Sequence, residues 1–447
     1  MLEDIRKERL KKKEQLERLG YDIYPARVKR TNSIGGVVQS FAALSKKKTT
    51  ISIAGRVMGL RVQGAIGFAD LMDASGKIQV FLKKDNLKSF TVLKANLDIG
   101  DFLEVGGTLF KTKAGEKTIE AKSARIIVKA LRPLPSVWHG LQDVEERYRK
   151  RYLDLVLNPE VKEKLIERSK IIEYLRETLA KEDFLEIETP MLQPIPGGTR
   201  ARPFKTHHNA LNADFYLRIA PELYLKRLLV GGFEKIFEIG RNFRNEGIDR
   251  AHNPEFTMLE LYWAYQDYEG LMKFTEKLLK KFIPGKWERI KYTDALKKYS
   301  GKDYKSIKPE QLDEFFKKEV RPKIIKPTFV TDYPASVLAL AKFDEKNKSL
   351  TESFQLVVDG TEIIKGFSEL NDPVAQRAQM LDQEEERRGG NEEAFRMDED
   401  FLEALEYGMP PAAGLGLGID RLVALVTKSH SVKEIIAFPT LRPKDLG

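Results

Sequence analysis

The sequence predicts an α+β protein: a small β-barrel in the first third, then a larger domain on a mainly antiparallel sheet flanked by helices. Short strands punctuated by glycines fill residues 51–128, which favours the barrel. Beyond residue 157, helices and strands do not alternate strictly, which favours a mainly antiparallel sheet. We therefore expect domains at 1–130 and 157–447, joined by a linker at 131–156 that begins with a proline-containing stretch.

The first domain is predicted to be a charged helix followed by the barrel. Residues 1–20 are predicted to form a charged helix, which is either a solvated arm or a segment that contacts RNA. About five short strands lie between Thr50 and Val128, together with basic residues and an exposed-looking Phe68. This combination is typical of a Greek-key barrel of the OB type. Such barrels bind single-stranded nucleic acid by stacking bases on aromatic side chains beside a cationic groove.

The distribution of charge agrees with a polyanionic partner. The chain carries a net charge of +10, and residues 1–130 alone contain 26 lysine and arginine residues against 14 acidic residues. The remainder is close to neutral, so the basic excess lies with the barrel. Nucleic acid is the leading candidate for the partner. A solvated, solubilising surface would give the same asymmetry.

The bulk composition excludes several classes of protein. Of the 447 residues, 42% are hydrophobic and 32% are charged, as in a soluble globular protein. No run of about 18 apolar residues is present, so we expect no membrane span. The charged N-terminus lacks the apolar core of a secretory signal. The chain has no cysteine, which excludes disulfides and thiolate metal sites and fits a cytoplasmic location.

The second domain is predicted to begin with a long helix. Asn158 and Pro159 form a capping residue followed by proline at the first helical position. Apolar residues then recur at helical spacing as far as Leu179. Two charged helical stretches follow later in the chain: a lysine-rich insertion at about 284–325, and residues 375–400.

The best cluster of chemically active residues lies in 241–265, near a turn between two strand-like runs. It contains Arg244, Glu246, His252 and Glu260, although spacing alone favours a hairpin with a polar tip. Arginine, glutamate and aromatic side chains together are what a phosphate, an adenine amino group and a purine face require. Because neither a Walker loop nor a GxGxxG motif is present, ATP would be bound by some other arrangement.

Three segments together resemble the signature motifs of class II aminoacyl-tRNA synthetases. Residues 184–198, with Pro190, resemble motif 1; residues 241–265 resemble motif 2; and residues 414–425 resemble motif 3. They occur in the family's order, and the resemblance covers nearly the whole chain. Within the class, three further strings resemble the lysine enzyme specifically: 206–212, 217–234 and 366–372.

The resemblance implies the ATP-dependent ligation of lysine to tRNA(Lys). The lysine carboxylate attacks the α-phosphate of ATP to give lysyl-adenylate and pyrophosphate, and a tRNA ribose hydroxyl then attacks the adenylate. Mg²⁺ is the expected cofactor. A homodimer is expected because motif 1 forms a subunit interface in the family.

The resemblance also assigns residues to ATP. The expected catalytic residues are Arg244, on the α-phosphate and the lysine carboxylate, and Arg421. Phe256 would stack on adenine, with Arg421 on the other face. The remaining nucleotide contacts would be Glu246, His252 and Asn253.

Other residues are assigned to lysine and to the anticodon. Glu222 would accept from the α-amino group, and Glu369 with Tyr262 would hold the ε-ammonium, because an ammonium out of water needs an anionic acceptor. Glu260 would line the same site. In the barrel, Phe68 would stack a uridine, and Gln79 and Glu116 would read base edges. The alternative is a core phenylalanine and two surface polar residues.

Three positions depart from the family pattern. The metal site would pair Glu362 with Gln355, where a second glutamate is usual and where the amide is the weaker ligand for Mg²⁺. Ala251 replaces a basic residue, so a contact to the triphosphate would be lost unless Arg250 turned inwards. Lys365 replaces an asparagine and would bring an ammonium close to the substrate carboxylate and phosphate, in the lysine-binding region.

These departures allow two accounts of the adenylation step. Either adenylation is weakened, or the charge of Lys365 compensates for the weakened metal site. We favour compensation because Glu222, Tyr262 and Glu369 are all present; family drift with little consequence is a third reading.

Two alternative functions remain: a divergent RNA-binding paralogue, and an enzyme that activates lysine to modify a protein.

Overall fold

The computed structural model describes residues 2–135, 141–391, 393–394 and 396–444. The chain divides into two compact units, Met1–Asp143 and Val144–Gly447. The middle of the predicted linker, residues 136–140, lies outside the described residues.

The first unit contains a closed barrel in which every strand has two neighbours. The strand order is β1-β2-β3-β5-β4, with β1 paired to β4 to close the barrel. Alternate side chains point inwards and form an apolar core, as expected of half-buried strands. The predicted OB-type barrel is therefore confirmed. Its strands are β1 (Ile51–Gln63), β2 (Ile66–Met72), β3 (Lys77–Lys83), β4 (Phe102–Lys111) and β5 (Lys117–Val128).

In the part of this unit that the structure describes, four α-helices accompany the barrel: α1 (Leu2–Arg18), α2 (Ile34–Gln39), α3 (Phe41–Lys46) and α4 (Phe90–Asn96). The charged helix α1 is docked on the barrel rather than free. Leu16 enters the barrel core, and Arg9 donates to the carbonyls of Ala130 and Ile99 at 2.9 and 3.0 Å. The sequence did not predict this docking, because only a few residues of the highly charged α1 contact the barrel.

The second unit is built on an eight-stranded sheet with the order β12-β13-β14-β15-β16-β11-β10-β6, and β7, β9 and β8 form a small separate sheet. Only the β6–β10 and β12–β13 pairs of the large sheet are parallel. The strands are β6 (Leu185–Glu186), β7 (Leu192–Gln193), β8 (Lys205–His208), β9 (Ala213–Leu217), β10 (Lys235–Phe243), β11 (Glu255–Ala264), β12 (Glu288–Lys291), β13 (Thr328–Thr331), β14 (Ser353–Val358), β15 (Thr361–Ser368) and β16 (Ala412–Gly418).

Helices cover the large sheet, as the predicted α+β class requires. They are α5 (Val144–Arg149), α6 (Arg151–Leu157), α7 (Pro159–Lys181), α8 (Glu222–Val230), α9 (Tyr268–Leu279), α10 (Tyr292–Ser300), α11 (Leu312–Phe315), α12 (Pro373–Arg388), α13 (Glu399–Glu406) and α14 (Ile419–Val426). Helices α7, α9 and α14 share one apolar core with the sheet, and α8 and α13 share another. Among the described residues, none of the helices combines the length and apolar character that a bilayer span requires.

Two local expectations need correction. Helix α7 begins with Pro159, but the Asn158 side chain makes no capping bond and donates instead to Asp154 at 2.7 Å. The predicted insertion is not purely helical, because it opens with β12, an edge strand paired with β13. The rest of the insertion buries its own apolar side chains, including Phe316, against the sheet.

Candidate functional site

Strand β11 presents polar side chains on one face and apolar side chains on the other. Leu259 and Leu261 point into the core beneath α7, α9 and α14. Alternation then places Glu260 and Tyr262 on the opposite face of the sheet. Both are buried, and the Tyr262 hydroxyl donates to Glu260 Oε2 at 3.1 Å. A carboxylate therefore lies in a largely water-free position at the centre of the sheet.

The neighbouring strand β16 leaves space above these residues because it carries glycines. Gly414 pairs with Tyr262, and Gly416 pairs with Glu260. A Cβ atom at Gly414 would lie 2.3 Å from Glu369 Oε1 and 2.5 Å from Tyr262 Cε1. These distances are too short for any larger residue, so the glycine at position 414 makes room for the polar side chains around it.

Five side chains form what we call the carboxylate pocket: Glu222, Lys226, Glu260, Tyr262 and Glu369. Lys226 lies one helical turn after Glu222 on α8, and its ammonium donates to Glu222 Oε1 at 2.7 Å. The same ammonium is ion-paired with Glu369. The structure thus brings together the three residues that the sequence assigned to the amino groups of lysine, Glu222, Tyr262 and Glu369, with Glu260, which was expected to line the same site. It adds Lys226, which the sequence analysis missed.

Burial is the main cause of the shifted pKa values in this pocket. It raises the pKa of Glu260 to about 8, and the charge of Glu222 adds to the effect. Burial also raises the pKa of Glu369 to about 8, against the opposing charge of Lys226. The pKa of Tyr262 lies well above its usual value for the same reason. Carboxylates with such raised pKa values are stabilised in their charged form by any cation that enters.

A second group, the arginine cluster, consists of Arg244, His252, Arg321, Glu362 and Arg421. Arg421 Nη1 donates to the carbonyl of Glu362 at 3.1 Å and lies 3.6 Å from its Oε1. Arg421 Nη2 is 3.0 Å from His252 Nε2, whose Nδ1 lies 2.9 Å from both carboxylate oxygens of Asp249. These contacts join the turn after β10 to helix α14.

Arg244 and Phe256 face each other at the base of the turn. The Arg244 guanidinium carbon lies 4.9 Å from the centre of the Phe256 ring, and Nη2 is 3.9 Å from Met258 Sδ. Arg244 Nε is buried and has no hydrogen-bond partner among the described residues. A donor fork left this free suits an anionic ligand. The Phe256 ring lies under Arg244, whereas its expected partner across adenine, Arg421, contacts His252 and Glu362.

Buried charge fixes helix α14 against β11. Asp420 Oδ1 pairs with Arg168 Nη1 of α7 at 2.5 Å, and its Oδ2 accepts from the backbone of Thr257 at 3.2 Å. Arg168 Nη2 also donates to Thr257 Oγ1 at 2.9 Å. Asp420 therefore holds the neighbouring Arg421 in place, and the sequence analysis did not single it out.

Two of the predicted nucleotide-binding residues, Glu246 and Asn253, lie outside the arginine cluster. Glu246 is exposed in the turn and makes no ion pair or hydrogen bond with a described residue. Asn253 is buried, with its Nδ2 donating to the carbonyl of Glu255 at 2.7 Å and its Oδ1 accepting from Thr440 at 3.2 Å. Beside them, Arg250 donates to the carbonyl of His430 at 3.1 Å and does not fill the place left by Ala251.

The residues expected to hold a metal do not fit a site built from protein carboxylates. Glu362 lies between Arg321 at 3.7 Å and Arg421 at 3.6 Å, and buried Gln355 pairs directly with Lys365 across β14 and β15. Burial lowers the pKa of Lys365, while Glu362 opposes that shift. Within the described ranges, no group of three or more histidine, aspartate or glutamate residues could hold a metal ion. Cationic side chains are concentrated where a divalent ion was expected.

The barrel carries an aromatic row on its outer surface. Phe68 is half-buried and lies outside the barrel core, with its ring 5.0 Å from Phe81, and Phe81 lies 6.0 Å from Phe110. Gln79 Oε1 accepts from the Thr118 hydroxyl at 3.0 Å, and Glu116 is exposed between β4 and β5. Phe68 is therefore not a core residue. The sequence analysis missed Phe81 and Phe110, because only the strand register brings them beside it.

Comparison with known proteins supports both halves of this description. Residues 143–442 match the family model described as tRNA synthetases class II (D, K and N), and residues 51–127 match the OB-fold nucleic acid binding domain. The lysine–tRNA ligase of Carboxydothermus hydrogenoformans is 47% identical, with 99% of each chain aligned. That of Syntrophomonas wolfei is 46% identical over 99% of this chain and 98% of its own.

The sheet, the motif order and the match over the second unit define a class II aminoacyl-tRNA synthetase. Sequence identity of 46–47% to lysine–tRNA ligases over nearly the full length identifies the family within this class. The chain belongs to the lysine–tRNA ligase family. Neither comparison supports the alternative functions, an RNA-binding paralogue or a protein-modifying enzyme.

Proposed function

We propose that the chain joins lysine to tRNA(Lys) through a lysyl-adenylate, with lysine bound in the carboxylate pocket. The observation that carries this proposal is Glu369, which is 1% exposed and whose Oε1 has no hydrogen-bond partner among the described residues. A buried carboxylate oxygen of this kind is costly unless a cation meets it. The ε-ammonium of lysine supplies that cation, and Glu222 accepts from the α-amino group.

In the first step, a lysine carboxylate oxygen forms a bond to the α-phosphorus of ATP as the bond to the bridging oxygen of pyrophosphate breaks. Arg244, whose Nε is unpartnered, holds both the carboxylate and the α-phosphate. Arg421 and His252 lie beside it to receive the nucleotide, with Glu246 and Asn253 as further contacts and Phe256 as the surface for adenine. Positioning and charge stabilisation supply the catalysis, so no protein nucleophile is needed.

In the second step, a terminal ribose hydroxyl of tRNA attacks the carbonyl carbon of the adenylate, and AMP leaves. The barrel supplies the anticodon contact through Phe68, Gln79 and Glu116. The neighbouring Phe81 and Phe110 supply the rest of a stacking surface. Replacing Phe68 with alanine is expected to raise the KM for tRNA about tenfold while leaving lysine-dependent ATP–pyrophosphate exchange unchanged. Equal loss of both activities would contradict the anticodon role.

Mg²⁺ would enter with the phosphates of ATP, since Glu362 and Gln355 do not form a pair of carboxylates for it. We propose that Lys365 compensates for the missing carboxylate by placing its own charge near the reacting groups. It is half-buried directly opposite Gln355, and it has no ion pair among the described residues. Lysine-dependent ATP–pyrophosphate exchange across a Mg²⁺ titration tests the idea. Absence of exchange at every Mg²⁺ concentration would contradict it.

A homodimer is also proposed, through the motif 1 region. Strand β6 is an edge strand, and three large apolar side chains of motif 1 are between 46% and 50% exposed: Leu185, Met191 and Leu192. Exposed apolar side chains at an open sheet edge are typical of a self-complementary interface. Sedimentation equilibrium should give a dimer, and Leu192→Glu should give a monomer. A monomeric parent protein would contradict the proposal.

The experiment that tests the function is the transfer of labelled lysine to tRNA. The expected result is charged tRNA(Lys) that requires both ATP and lysine. If lysine is activated but never reaches tRNA, the ligase proposal fails and the protein-modifying alternative returns. If lysine is not activated at all, the RNA-binding alternative returns. We propose a cytoplasmic location, where lysine, ATP and tRNA are all available.

A further inference from the structure

Lys226 is a completely buried ammonium inside the carboxylate pocket. Its side chain has no solvent exposure, and it lies 2.7 Å from Glu222 Oε1 while also pairing with Glu369. The Phe367 ring lies 5.5 Å from the same ammonium. The attraction of its two carboxylate partners offsets part of the cost of taking this ammonium out of water. Lys226 thus connects the residue proposed for the α-amino group to the residue proposed for the ε-ammonium.

Without a ligand, the pocket contains more carboxyl groups than ammonium groups. Three buried carboxylates, Glu222, Glu260 and Glu369, face one buried ammonium, that of Lys226. A lysine substrate brings two ammonium groups, and its carboxylate is directed to Arg244 outside the pocket. One fixed cation and two from the substrate match three carboxylates. A neutral or mono-ammonium amino acid leaves at least one buried carboxylate unmatched, which is unfavourable.

We propose that Lys226 is a positioning residue that holds the carboxylates of Glu222 and Glu369 at a fixed separation around one fixed positive charge, so that the pocket selects an amino acid with two ammonium groups. This inference rests on the proposed function. Lys226 touches neither ATP nor the reacting atoms, so it acts only through the two glutamates. Without its charge, the Glu369 carboxyl group would ionise less readily when lysine enters and would attract the ε-ammonium less strongly.

Titratable and charged groups on neighbouring strands face Glu222 and Glu369. Glu222 lies on the helix that carries Lys226, and Glu369 follows β15. Facing them are Glu260 and Tyr262 of β11, Arg244 at the end of β10, and Glu238, which is paired with Arg218. Lys226 is the cation in contact with both Glu222 and Glu369. Removal of Lys226 should therefore raise the pKa of Glu369 further above its usual range.

The test is Lys226→Met, which keeps an unbranched side chain but removes the charge. Lysine-dependent ATP–pyrophosphate exchange is measured from about pH 6 to about pH 10. We expect the KM for lysine to rise about tenfold or more, with the KM for ATP within about twofold. The acid limb of kcat/KM for lysine should move to higher pH, because an ionised carboxylate is required and its pKa has risen.

Arg227→Met is the matched control. Arg227 is the next residue on the same helix and pairs with Asp398 at 2.9 Å, away from the pocket. Its loss removes one cation and one ion pair, so it reproduces a purely structural effect. We expect the control to lower thermal stability while leaving the KM for lysine and the acid limb unchanged. The inference is overturned if Lys226→Met behaves like this control.

A second variant covers the case in which Lys226→Met does not fold. Because the chain has no cysteine, Lys226→Cys introduces a single thiol. The unfolded variant is alkylated with 2-bromoethylamine, which restores an ammonium of nearly lysine length, or with iodoacetamide, which leaves it neutral, and is then refolded. Aminoethylation should restore the KM for lysine and carbamidomethylation should not. Equal recovery with both, or none with the amine while the parent protein survives the same treatment, overturns the inference.

The two proposals fail in different ways. If the parent protein shows no lysine-dependent exchange, the proposed function is wrong. If the parent protein is active and Lys226→Met keeps both its KM for lysine and its acid limb, only the role of Lys226 is wrong.

Discussion

The carboxylate pocket and the arginine cluster lie in the same unit but are built in opposite ways. The pocket is closed and buried, with Lys226 joined to two glutamates and Tyr262 joined to Glu260. The arginine cluster is more open, and Arg421 and Arg321 share the single carboxylate of Glu362. In the proposed function, the carboxyl groups of the pocket receive the ammonium groups of lysine, and the cations of the cluster receive the phosphates of ATP. We therefore propose that the amino acid is selected where solvent is excluded, whereas ATP binds to protein cations near the surface.

Glu369→Gln should break the pocket most completely. The amide cannot hold the ε-ammonium, and it removes one of the two carboxylates that pair with Lys226. We expect kcat/KM for lysine to fall roughly a thousandfold, equivalent to ~4 kcal/mol, with the KM for ATP little changed. ATP–pyrophosphate exchange measures both constants.

Asp398→Asn provides a matched control for Glu369→Gln, since it removes a buried carboxylate that pairs with Arg227 outside the pocket. It should lower stability without altering lysine recognition. Full exchange activity in Glu369→Gln at the lysine concentrations that saturate the parent protein would show that the pocket does not bind lysine through this residue.

Gly414→Ala should obstruct the pocket because the added methyl group takes up space, without a change in charge. Its Cβ would lie 2.3 Å from Glu369 Oε1. We expect about a hundredfold loss in kcat/KM for lysine, because the carboxylate and the Tyr262 ring are displaced. Gly416→Ala on the same strand should cost far less, since its Cβ meets the flexible end of Met258 at 2.8 Å. Equal effects at the two glycines would contradict this account.

Lys365→Asn should affect the arginine-cluster side of the comparison. Removing this ammonium is expected to lower the rate of adenylation about tenfold, because positive charge near the phosphates is lost. Adding Gln355→Glu should restore the rate and make it more dependent on Mg²⁺. Lys318→Asn, an exposed lysine of the insertion, is the control for loss of one charge. If Gln355→Glu does not restore the rate, Lys365 does not compensate for the missing carboxylate.

The sequence predicted the barrel, the α+β class and the strands of motif 2, because alternation and glycine punctuation are local signals. It did not predict β12, whose four residues are held in the sheet only by pairing with β13. It also missed Lys226. Glu222 and Lys226 are four residues apart on a helix, which usually indicates a solvent-exposed ion pair. Only the tertiary fold buries that pair and brings Glu369 to it.

Aromatic residues on the barrel illustrate the same limit. Phe68 could be singled out by resemblance, but Phe81 and Phe110 become its neighbours through strand register. Register depends on which strands pair, and that information is distributed over the whole barrel.

The central claim is that the pocket binds lysine by charge matching, and the pH dependence of lysine binding to the ATP-free protein tests it most directly. Burial raises the pKa of both Glu260 and Glu369 to about 8, so below that pH they are largely protonated when the pocket is empty. Two ammonium groups would lower both pKa values, and protons would be released. Titration calorimetry in two buffers of different ionisation enthalpy should show proton release and an affinity that rises between about pH 6 and pH 8. Binding without proton release, at an affinity that does not change over this range, would contradict the account.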